Sequence, residues 1–287
     1  MKTTIVGMGR LGTSLGKALV RVGYEIVALV DSDLQSARRA RQRIGRGRST
    51  DDPAAAVRKA DLIFITVPDE AIADVVRSLV SSGFQGRGKT VFHTSGIETS
   101  TLLAPLASCG ARVASFHPAQ SFPKPTMPPA HFRGTVFGLE GDRAAVKTAK
   151  SVVHKLGGRS IVLSPEGKTL YHAACAVASN LFVPLIGLAI EVMVEAGVTE
   201  AEAKITLIPL IEGTLRNVKI LDAAAALSGP LARLDFGTIE RHLRALRRVP
   251  GAREVYRVIG LSAMGLLKKR GASAASLKRL RSLLAEK

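Results

Sequence analysis

Aromatic side chains are scarce in this sequence. Tryptophan is absent, and Phe, Tyr and Trp together make up 4% of the 287 residues. Hydrophobic residues still make up 46% of the chain, so the core must be built from Ala, Val, Leu and Ile. Base-stacking platforms for single-stranded nucleic acids need aromatic side chains among the basic ones. The scarcity therefore argues against that class of protein.

Cysteine is equally rare. The chain has 2 cysteines, Cys109 and Cys175, which lie far apart and lack metal-ligand spacing. This excludes a disulfide-rich scaffold and favours a reducing compartment. The first residues, "MKTTIVGMG", also lack the basic start, apolar block and cleavage site of a signal peptide. We therefore expect a cytoplasmic protein.

The longest uncharged run extends from Ala173 to Ile190. Its length is near the lower limit for a membrane-spanning helix. Ser179, Asn180 and Pro184 interrupt the run, and no second run of this kind exists in the sequence. The pattern favours a buried helix of a soluble protein, with no membrane as a partner.

Acidic residues are few relative to basic ones: 23 Asp and Glu stand against 41 Lys and Arg, a formal net charge of +18. One interpretation is nucleic-acid binding. The other is a basic surface that attracts anionic small molecules. The basic residues are spread over helical segments such as "ARRARQRIGRGR" and "ERHLRALRR", without interleaved aromatics. This favours a small anionic partner over nucleic acid and leaves the role of the full charge open.

The chain begins with a nucleotide-binding pattern. A short β-branched strand, residues 3–6, runs into Gly7-Met8-Gly9-Arg10-Leu11-Gly12, and apolar residues then follow at helical spacing. Gly7 permits a tight turn, Gly9 lets a pyrophosphate approach the backbone, and Gly12 lets the helix pack close to the sheet. With an acid 19 positions after Gly12, this is the full dinucleotide fingerprint. The predicted cofactor-binding residues of this turn are Gly7, Gly9, Arg10, Leu11 and Gly12.

That acid is Asp31, at the end of the next strand, "EIVALV". A carboxylate here accepts hydrogen bonds from a ribose 2′-hydroxyl and repels a 2′-phosphate, so NAD is the first choice. Ser32, Arg38 and Arg39 lie nearby and are suited to a 2′-phosphate, which keeps NADP as the second choice.

Further buried strands end in polar residues. They are "ADLIFITVPDEAI", "KTVFHTSG", "ARVASFHPAQSFP", "TVFGLEG" and "SIVLS". Ligands of such sheets bind beyond the carboxyl ends of the strands. Val67 and Pro68 are therefore predicted to cover the dinucleotide beside its reactive ring. The predicted substrate-binding residues at these strand ends are His93, Ser95, His117, Gln120 and Ser121.

The chain becomes helical from Ser164 onward. The predicted domains are residues 1–163, a Rossmann dinucleotide-binding domain, and residues 164–287, an all-helical domain for substrate binding and dimerisation. A single helix is predicted from Ser164 to about Ala196, with Lys168, His172 and Asn180 on one broad face. Polar groups on a buried face need partners, which a substrate or a polar seam between domains or subunits would supply.

A second polar constellation lies in "SGPLARLDFGTIERHL". Arg233 carries the planar fork suited to a substrate carboxylate, and Asp235 is placed to orient it. The alternative is a local Arg–Asp pair with ordinary helix capping.

Four motifs, "HTSG", "SFHPAQSF", "LYHAACAVASN" and "LSGPLARLDFGTIERHL", resemble a family of Rossmann-like proteins with a helical C-terminal domain of unknown function. The order of parts is similar to the 6-phosphogluconate dehydrogenase-like superfamily, which includes pyrroline-5-carboxylate and ketopantoate reductases. The resemblance implies an NAD(P)-dependent oxidoreductase that forms homodimers through its helical domain. β-Hydroxyacid dehydrogenases of this superfamily have a catalytic lysine that Lys168 could match, but His172 stands where they have asparagine.

The sequence thus predicts an α/β plus all-α protein that transfers hydride to or from a small anionic carbonyl or imine compound, such as a 2-keto acid or an imino acid. His172 is the first choice for acid–base catalysis, Lys168 the second, and Asn180 would orient the substrate. Hydride chemistry needs the nicotinamide cofactor and no metal. Two alternatives remain open: a non-catalytic dinucleotide-binding regulator, and a basic nucleic-acid-associated protein.

Overall fold

The computed structural model describes residues 1–124 and 126–285. Contacts divide the chain into two compact units, Met1–Val177 and Ala178–Lys287. The first is a parallel-dominated sheet with helices, and the second is entirely helical within the residues described. The predicted fold class is confirmed, while the domain boundary after residue 163 stays a prediction.

The first unit contains an eight-stranded sheet. Its order is β3-β2-β1-β4-β5-β6-β7-β8, and all neighbours are parallel except β6 and β7. The strands are β1 Lys2–Val6, β2 Glu25–Val30, β3 Arg48–Thr50, β4 Leu62–Ile65, β5 Thr90–His93, β6 Arg112–Pro118, β7 Val136–Gly141 and β8 Arg159–Val162. Every strand expected from the sequence is present, and the three-residue β3 is an additional edge strand that its length and polar sequence concealed.

Helices of the first unit follow most of the strands. They are α1 Arg10–Arg21, α2 Leu34–Ile44, α3 Pro53–Val57, α4 Asp69–Ser81, α5 Ala104–Ser108, α6 Arg143–Lys155 and α7 Lys168–Ala178, with short 3-10 helices at Ser100–Leu103 and Pro129–Phe132. Successive side chains of a strand point to opposite faces. Ile5 and Phe64 accordingly belong to one hydrophobic cluster, and Val6, Ile63 and Ile65 belong to the other. Both faces of the sheet are therefore buried, which explains the continuous apolar strand sequences.

The strand order places the candidate site. The chain moves outward from β1 to β3 and then returns to pair β4 with the other side of β1. Ligands of open α/β sheets bind where the order reverses, beyond the carboxyl ends of the strands. Here those ends carry Gly7 after β1, Thr66 after β4 and Thr94 after β5.

The second unit consists of eight helices within its described residues. They are α8 Phe182–Glu195, α9 Glu200–Ile220, α10 Ala223–Ala226, α11 Gly229–Arg233, α12 Phe236–Ala245, α13 Pro250–Ser262, α14 Met264–Lys269 and α15 Ala274–Ala285, besides a 3-10 turn at Leu246–Arg248. Their core is a small cluster that includes Ile239, Leu267, Leu280 and Leu284. By contrast, α9 buries only Ala203 and exposes Ile205, Leu210 and Ile220.

The long helix predicted from Ser164 to about Ala196 is wrong in two respects. The helix begins later than predicted: residues 165–167 form a turn, in which the Ser164 hydroxyl accepts the Gly167 amide over 3.2 Å, and α7 begins at Lys168. The helix also ends at Ala178, and α8 begins at Phe182. Pro184 explains the break, since it has no N–H to donate to an earlier turn and is tolerated only near the start of a helix. Asn180 lies exposed in the intervening turn, so it does not share a helical face with His172.

One stretch among the described residues, Lys168–Glu195, is long and apolar enough to cross a membrane by length and composition. A single such stretch is weak evidence for a membrane span. The predicted burial of this run is wrong for the single chain: α8 has no buried residue and α7 buries only Lys168, because its apolar side chains, such as Leu170 and Val183, are left uncovered. The turn at residues 179–181 interrupts it. The expectation of no membrane partner stays a prediction.

Candidate functional site

The glycine-rich turn after β1 packs tightly against the end of β4. Gly7 has a φ of +101°, and a Cβ there would lie 2.7 Å from the backbone nitrogen of Val67. A Cβ on Gly12 would lie 2.0 Å from the carbonyl oxygen of Gly7. The hydroxyl of Thr66 donates to that same carbonyl over 2.6 Å. Both glycines are therefore required by close backbone contacts, as the sequence predicts.

Gly9 differs from its neighbours because it faces open space. It precedes α1, and no atom of the described residues lies within 4 Å of the position where its Cβ would stand. The first amides of α1 have no partners within the helix, and the positive end of the helix dipole is located here. Arg10, exposed, and Leu11, partly buried, form the first turn. This geometry suits the diphosphate of a dinucleotide.

Asp31 fixes the distance between the glycine-rich turn and the end of β2. Its Oδ2 accepts a hydrogen bond from the Met8 amide over 2.7 Å, and its Oδ1 accepts one from the Asp33 amide over 3.0 Å. Asp33 in turn caps α2 and pairs with Arg39. A carboxylate held at this edge could accept the hydroxyls of an adenosine ribose. Arg38 is exposed on α2.

Val67 and Pro68 continue from β4 beside the glycine-rich turn. A methyl group of Val67 lies 2.8 Å from where a Gly7 Cβ would stand, and Pro68 is the exposed residue before α4. Both therefore lie at the predicted edge of the sheet, next to the place that the turn leaves open.

The loop after β5 is held mainly by His93. Its Nδ1 accepts the Ser95 amide at 3.2 Å, and its Nε2 lies 3.1 Å from the carbonyl oxygen of Thr99. Burial, followed by the charge of Lys168, lowers the pKa of His93 to about 3. His93 is therefore neutral, and both of its nitrogens are engaged with the loop. The Ser95 hydroxyl likewise accepts two amides of the loop, those of residues 97 and 98.

Lys168 reaches the same loop from the start of α7. It is fully buried, and its Nζ donates to the carbonyl oxygen of Ser95 over 2.7 Å. Burial lowers its pKa to about 8, against the opposing effect of carboxylates, of which Glu140 is the strongest. The buried Glu140 accepts both the amide and the hydroxyl of Ser100, at 2.7 and 2.6 Å. A buried lysine that can change charge near neutral pH is typical of a functional site.

Two histidines meet above Gly96. The ring centroids of His117 and His172 are 5.7 Å apart, edge to face. A Cβ on Gly96 would lie 2.2 Å from Cδ2 of His172 and 2.8 Å from Nε2 of His117, so only glycine fits. Burial, followed by the charges of Lys168 and His172, lowers the pKa of His117 to about 4. On the other side, Nδ1 of His117 lies 3.0 Å from the hydroxyl oxygen of Tyr171.

The structure thus brings together Ser95, His117, Lys168 and His172, four of the predicted site residues. They lie at the ends of β5 and β6 and on the first turns of α7. Among the described residues, no group of three or more His, Cys, Asp or Glu is suited to hold a metal ion. The arrangement offers hydrogen-bond donors and two partly exposed imidazoles, those of His117 and His172. An imidazole of this kind is suited to proton transfer.

The other predicted residues have contacts of their own. Gln120 and Ser121 are exposed and bonded to each other, and the Ser121 carbonyl contacts His131. In the second unit, Asp235 caps α12 by accepting the amide and hydroxyl of Thr238. Arg233 is exposed and lowers the pKa of Asp235, after the larger effect of the Thr238 hydrogen bonds. Within the second unit, Asp235 therefore acts as an ordinary helix cap, which is the alternative that the sequence left open.

Three residues of the site were not predicted from the sequence. They are Thr66, which holds the glycine-rich turn, Glu140, which holds the loop after β5, and Tyr171, which contacts His117. Thr66 and Glu140 occur in apolar strand segments, where a polar residue is costly unless it is bonded. That position was the available signal. Tyr171 stands next to His172, but the register of α7 alone does not indicate its partner.

Two family models match the chain. Residues 1–118 match a Rossmann-like domain, and residues 135–263 match a domain of unknown function, DUF2520. Among curated proteins, no significant match was found.

Solved structures resemble the chain over most of its length. A protein from Bacteroides fragilis, provisionally assigned as an NADP oxidoreductase, is 25% identical, with a TM-score of 0.74 over 91% of this chain and 96% of its own. A protein from Thermotoga maritima is 24% identical, with a TM-score of 0.72 over 94% of this chain and 100% of its own. An imine reductase from a Pseudomonas species is 22% identical, with a TM-score of 0.65 over 97% of this chain and 98% of its own.

Proposed function

Because this chain joins a Rossmann-like domain to a domain of the DUF2520 family, within the 6-phosphogluconate dehydrogenase-like fold, we propose that it is a nicotinamide-dinucleotide-dependent oxidoreductase. The observation that carries the proposal is that two features lie at the same edge of the sheet. There, the glycine-rich turn with its open Gly9 lies on the same side as the cluster of Lys168, His117 and His172. A dinucleotide site beside a proton-transfer group is what hydride transfer to a polar double bond requires.

The substrate that suits this cluster is a small anionic carbonyl or imine compound. The net charge of +18 favours anions, and the buried Lys168 adds a basic group to the cluster through its bond to the Ser95 carbonyl. His172 supplies or removes the proton, since His117, which is also partly exposed, has its pKa lowered to about 4 by burial and by the charges of Lys168 and His172. Lys168 holds the Ser95 loop and stabilises negative charge that develops on the substrate oxygen or nitrogen.

The nicotinamide cofactor supplies the hydride, and Gly7, Gly9, Gly12 and Asp31 of this chain would hold it. Two observations bear on which form is used. Asp31 presents a carboxylate where a 2′-phosphate of NADP would lie, which favours NAD. The reductive aminase structures from Aspergillus terreus, 18–19% identical, contain NADPH in some cases. We propose NAD on the strength of Asp31.

The dinucleotide choice is tested by fluorescence titration with NADH and with NADPH. NADH is expected to bind more tightly to the native protein, and Asp31→Ser should narrow or reverse the difference. Asp61→Ser, at an exposed acid on the opposite end of the sheet, is the matched control. Tighter binding of NADPH by the native protein contradicts the assignment of Asp31 and points to Arg38 or Arg39.

The reaction is tested with a panel of 2-keto acids and cyclic imines, following oxidation of the reduced dinucleotide. Turnover of at least one class is expected. Tight dinucleotide binding without turnover of any compound would instead support a regulatory protein. Binding to nucleic acid that weakens steeply with salt would support the basic nucleic-acid-associated alternative.

We further propose a homodimer formed through the helical unit. α9 has 21 residues but buries only Ala203, and it exposes Ile205, Leu210, Leu215 and Ile220. A long helix with this many exposed apolar side chains is uncommon on a monomer and indicates an interaction surface. A cytoplasmic location remains part of the proposal, on the evidence of the two free cysteines.

A further inference from the structure

Tyr171 and His117 form a hydrogen-bonded pair that the proposed reaction does not yet use. The Tyr171 hydroxyl oxygen lies 3.0 Å from Nδ1 of His117, and the two rings meet edge to face with centroids 5.6 Å apart. Tyr171 is on α7, one position before His172, while His117 is near the end of β6. The pair therefore connects the helix to the sheet at the candidate site.

The orientation of Tyr171 is fixed by a glycine on the neighbouring strand. Gly138 of β7 lies opposite His117 in the antiparallel register. A Cβ on Gly138 would lie 2.8 Å from both Cζ and the hydroxyl oxygen of Tyr171. Only glycine leaves room for the phenol ring over this strand. The ring therefore lies over Gly138 with its hydroxyl next to the imidazole of His117.

The direction of the hydrogen bond decides which nitrogen of His117 carries the proton. Burial lowers the pKa of His117 to about 4 and raises the pKa of Tyr171, so both groups are neutral near pH 7. A buried phenolic proton needs an acceptor, and Nδ1 of His117 lies 3.0 Å from the Tyr171 oxygen. The competing acceptor is the sulfur of Cys175, which is weaker than an imidazole nitrogen.

We propose that Tyr171 is a positioning residue that holds His117 in the tautomer with its proton on Nε2. The Nε2 atom lies on the side of His172 and Gly96, 2.8 Å from where a Gly96 Cβ would stand. His117 then presents a fixed hydrogen-bond donor beside the proton-transferring His172. This assignment of the donor to a substrate atom rests on the proposed function, whereas the tautomer itself does not.

A fixed donor at this point selects the substrate atom that can bind there. The Nε2–H of His117 donates to a carbonyl or carboxylate oxygen, which offers lone pairs. It rejects a protonated imine nitrogen, whose N–H would meet the N–H of His117. Of the two substrate classes considered for this site, the geometry therefore favours an oxygen acceptor next to His117, with His172 left to exchange protons.

The tautomer is measured by nitrogen-15 NMR of the two imidazole nitrogens of His117, in the uniformly labelled full chain without added ligand near pH 7. Native protein is expected to show an unprotonated Nδ1 and a protonated Nε2. In Tyr171→Phe, which keeps the ring over Gly138 but lacks the hydroxyl, both signals should move toward values averaged over the two tautomers. Cys175→Ala is the matched control and should leave them unchanged.

A protonated Nδ1 in the native protein overturns the proposal, and that single spectrum decides it even if Tyr171→Phe fails to fold. An equal shift in Cys175→Ala also overturns it, because the thiol would then set the tautomer. With any substrate that the panel identifies, Tyr171→Phe should lower kcat about tenfold and leave dinucleotide affinity unchanged. Failure of the whole panel contradicts the proposed function but does not alter the NMR result.

Discussion

Lys168 donates a hydrogen bond from Nζ to the backbone carbonyl of Ser95, which lies 73 residues earlier in the chain. The lysine is fully buried, and the same carbonyl also accepts a longer bond from the hydroxyl of Ser115. One side chain therefore ties the first turn of α7 to the loop after β5. Its charge also lowers the pKa of His93 and of His117, after the larger effect of burial.

Lys168→Met removes this charge and its bond while retaining a long side chain. The free energy of unfolding should fall by about 1–3 kcal/mol, because a buried hydrogen bond is lost. The pKa of His117 should rise from about 4, since the Lys168 charge is the second cause of its depression after burial. Denaturant unfolding and an NMR titration measure the two effects. Lys147→Met, at an exposed lysine of α6, is the control, and an unchanged pKa of His117 contradicts the electrostatic role.

Acid should destabilise the protein through His93 and His117. The folded-state pKa is about 3 for His93 and about 4 for His117, below the ordinary value of 6.5, so the unfolded chain binds more protons in the interval. Stability is therefore complete above about pH 6.5 and is lost as the pH falls toward 4, by up to about 1.4 kcal/mol per pH unit for each histidine. Denaturant midpoints across this range measure the slope.

The slope should be smaller in His93→Gln, which removes one of the two groups. His154→Gln, at an exposed histidine of α6, should retain the native slope. Equal slopes in all three proteins would show that other groups control the acid response.

Gly9→Ala and Gly12→Ala should distinguish a glycine that leaves room for the ligand from one that is required by backbone packing. Gly9 has a φ of −70° and an open Cβ position, so alanine should change the free energy of unfolding by less than about 0.5 kcal/mol. The methyl group would nevertheless stand where the diphosphate approaches, and NADH affinity should fall by about tenfold or more. In Gly12→Ala the methyl group meets the Gly7 carbonyl, so stability should fall as well. Calorimetry measures the stability of both variants, and fluorescence titration measures their NADH affinity. An NADH affinity in Gly9→Ala equal to that of the native protein argues against this site.

His172→Ala should lower kcat by about 10²–10⁴ on any substrate found, because the proton donor is removed. NADH affinity should remain native, since His172 lies outside the glycine-rich turn. His131→Ala, at the other end of the loop that follows β6, serves as the control. A variant that retains native kcat would transfer the acid–base role to Lys168, and the pH dependence of kcat would then report the pKa of about 8.

Ile205→Glu should weaken the proposed dimer. Ile205 is 75% exposed on α9, so a charge there costs little in the single chain but disrupts an apolar interface. Sedimentation velocity should give twice the chain mass for the native protein and the chain mass for the variant at low micromolar concentration. Arg244→Glu, at an exposed position of α12, should remain dimeric. A native monomer contradicts the proposal directly.

Local patterns were sufficient for much of this protein. The glycine fingerprint, the acid at position 31 and the strands with continuous apolar residues were predicted, because each depends on neighbours within one turn or one strand. The three-residue β3 was missed because its sequence carries no such pattern. The break before α8 was also local, but Pro184 was interpreted as an interruption within one helix and not as the start of a second.

The sequence by itself determined the fold class, the glycine-rich turn after β1 and most of the residues of the candidate site. Only the tertiary structure decided which of these residues meet. Thr66 contacts Gly7 across 59 residues and Tyr171 contacts His117 across 54, and neither distance can be read from a periodicity. The physical reason is that polar groups buried between a sheet and a helix must find partners, and those partners are set by strand order and register.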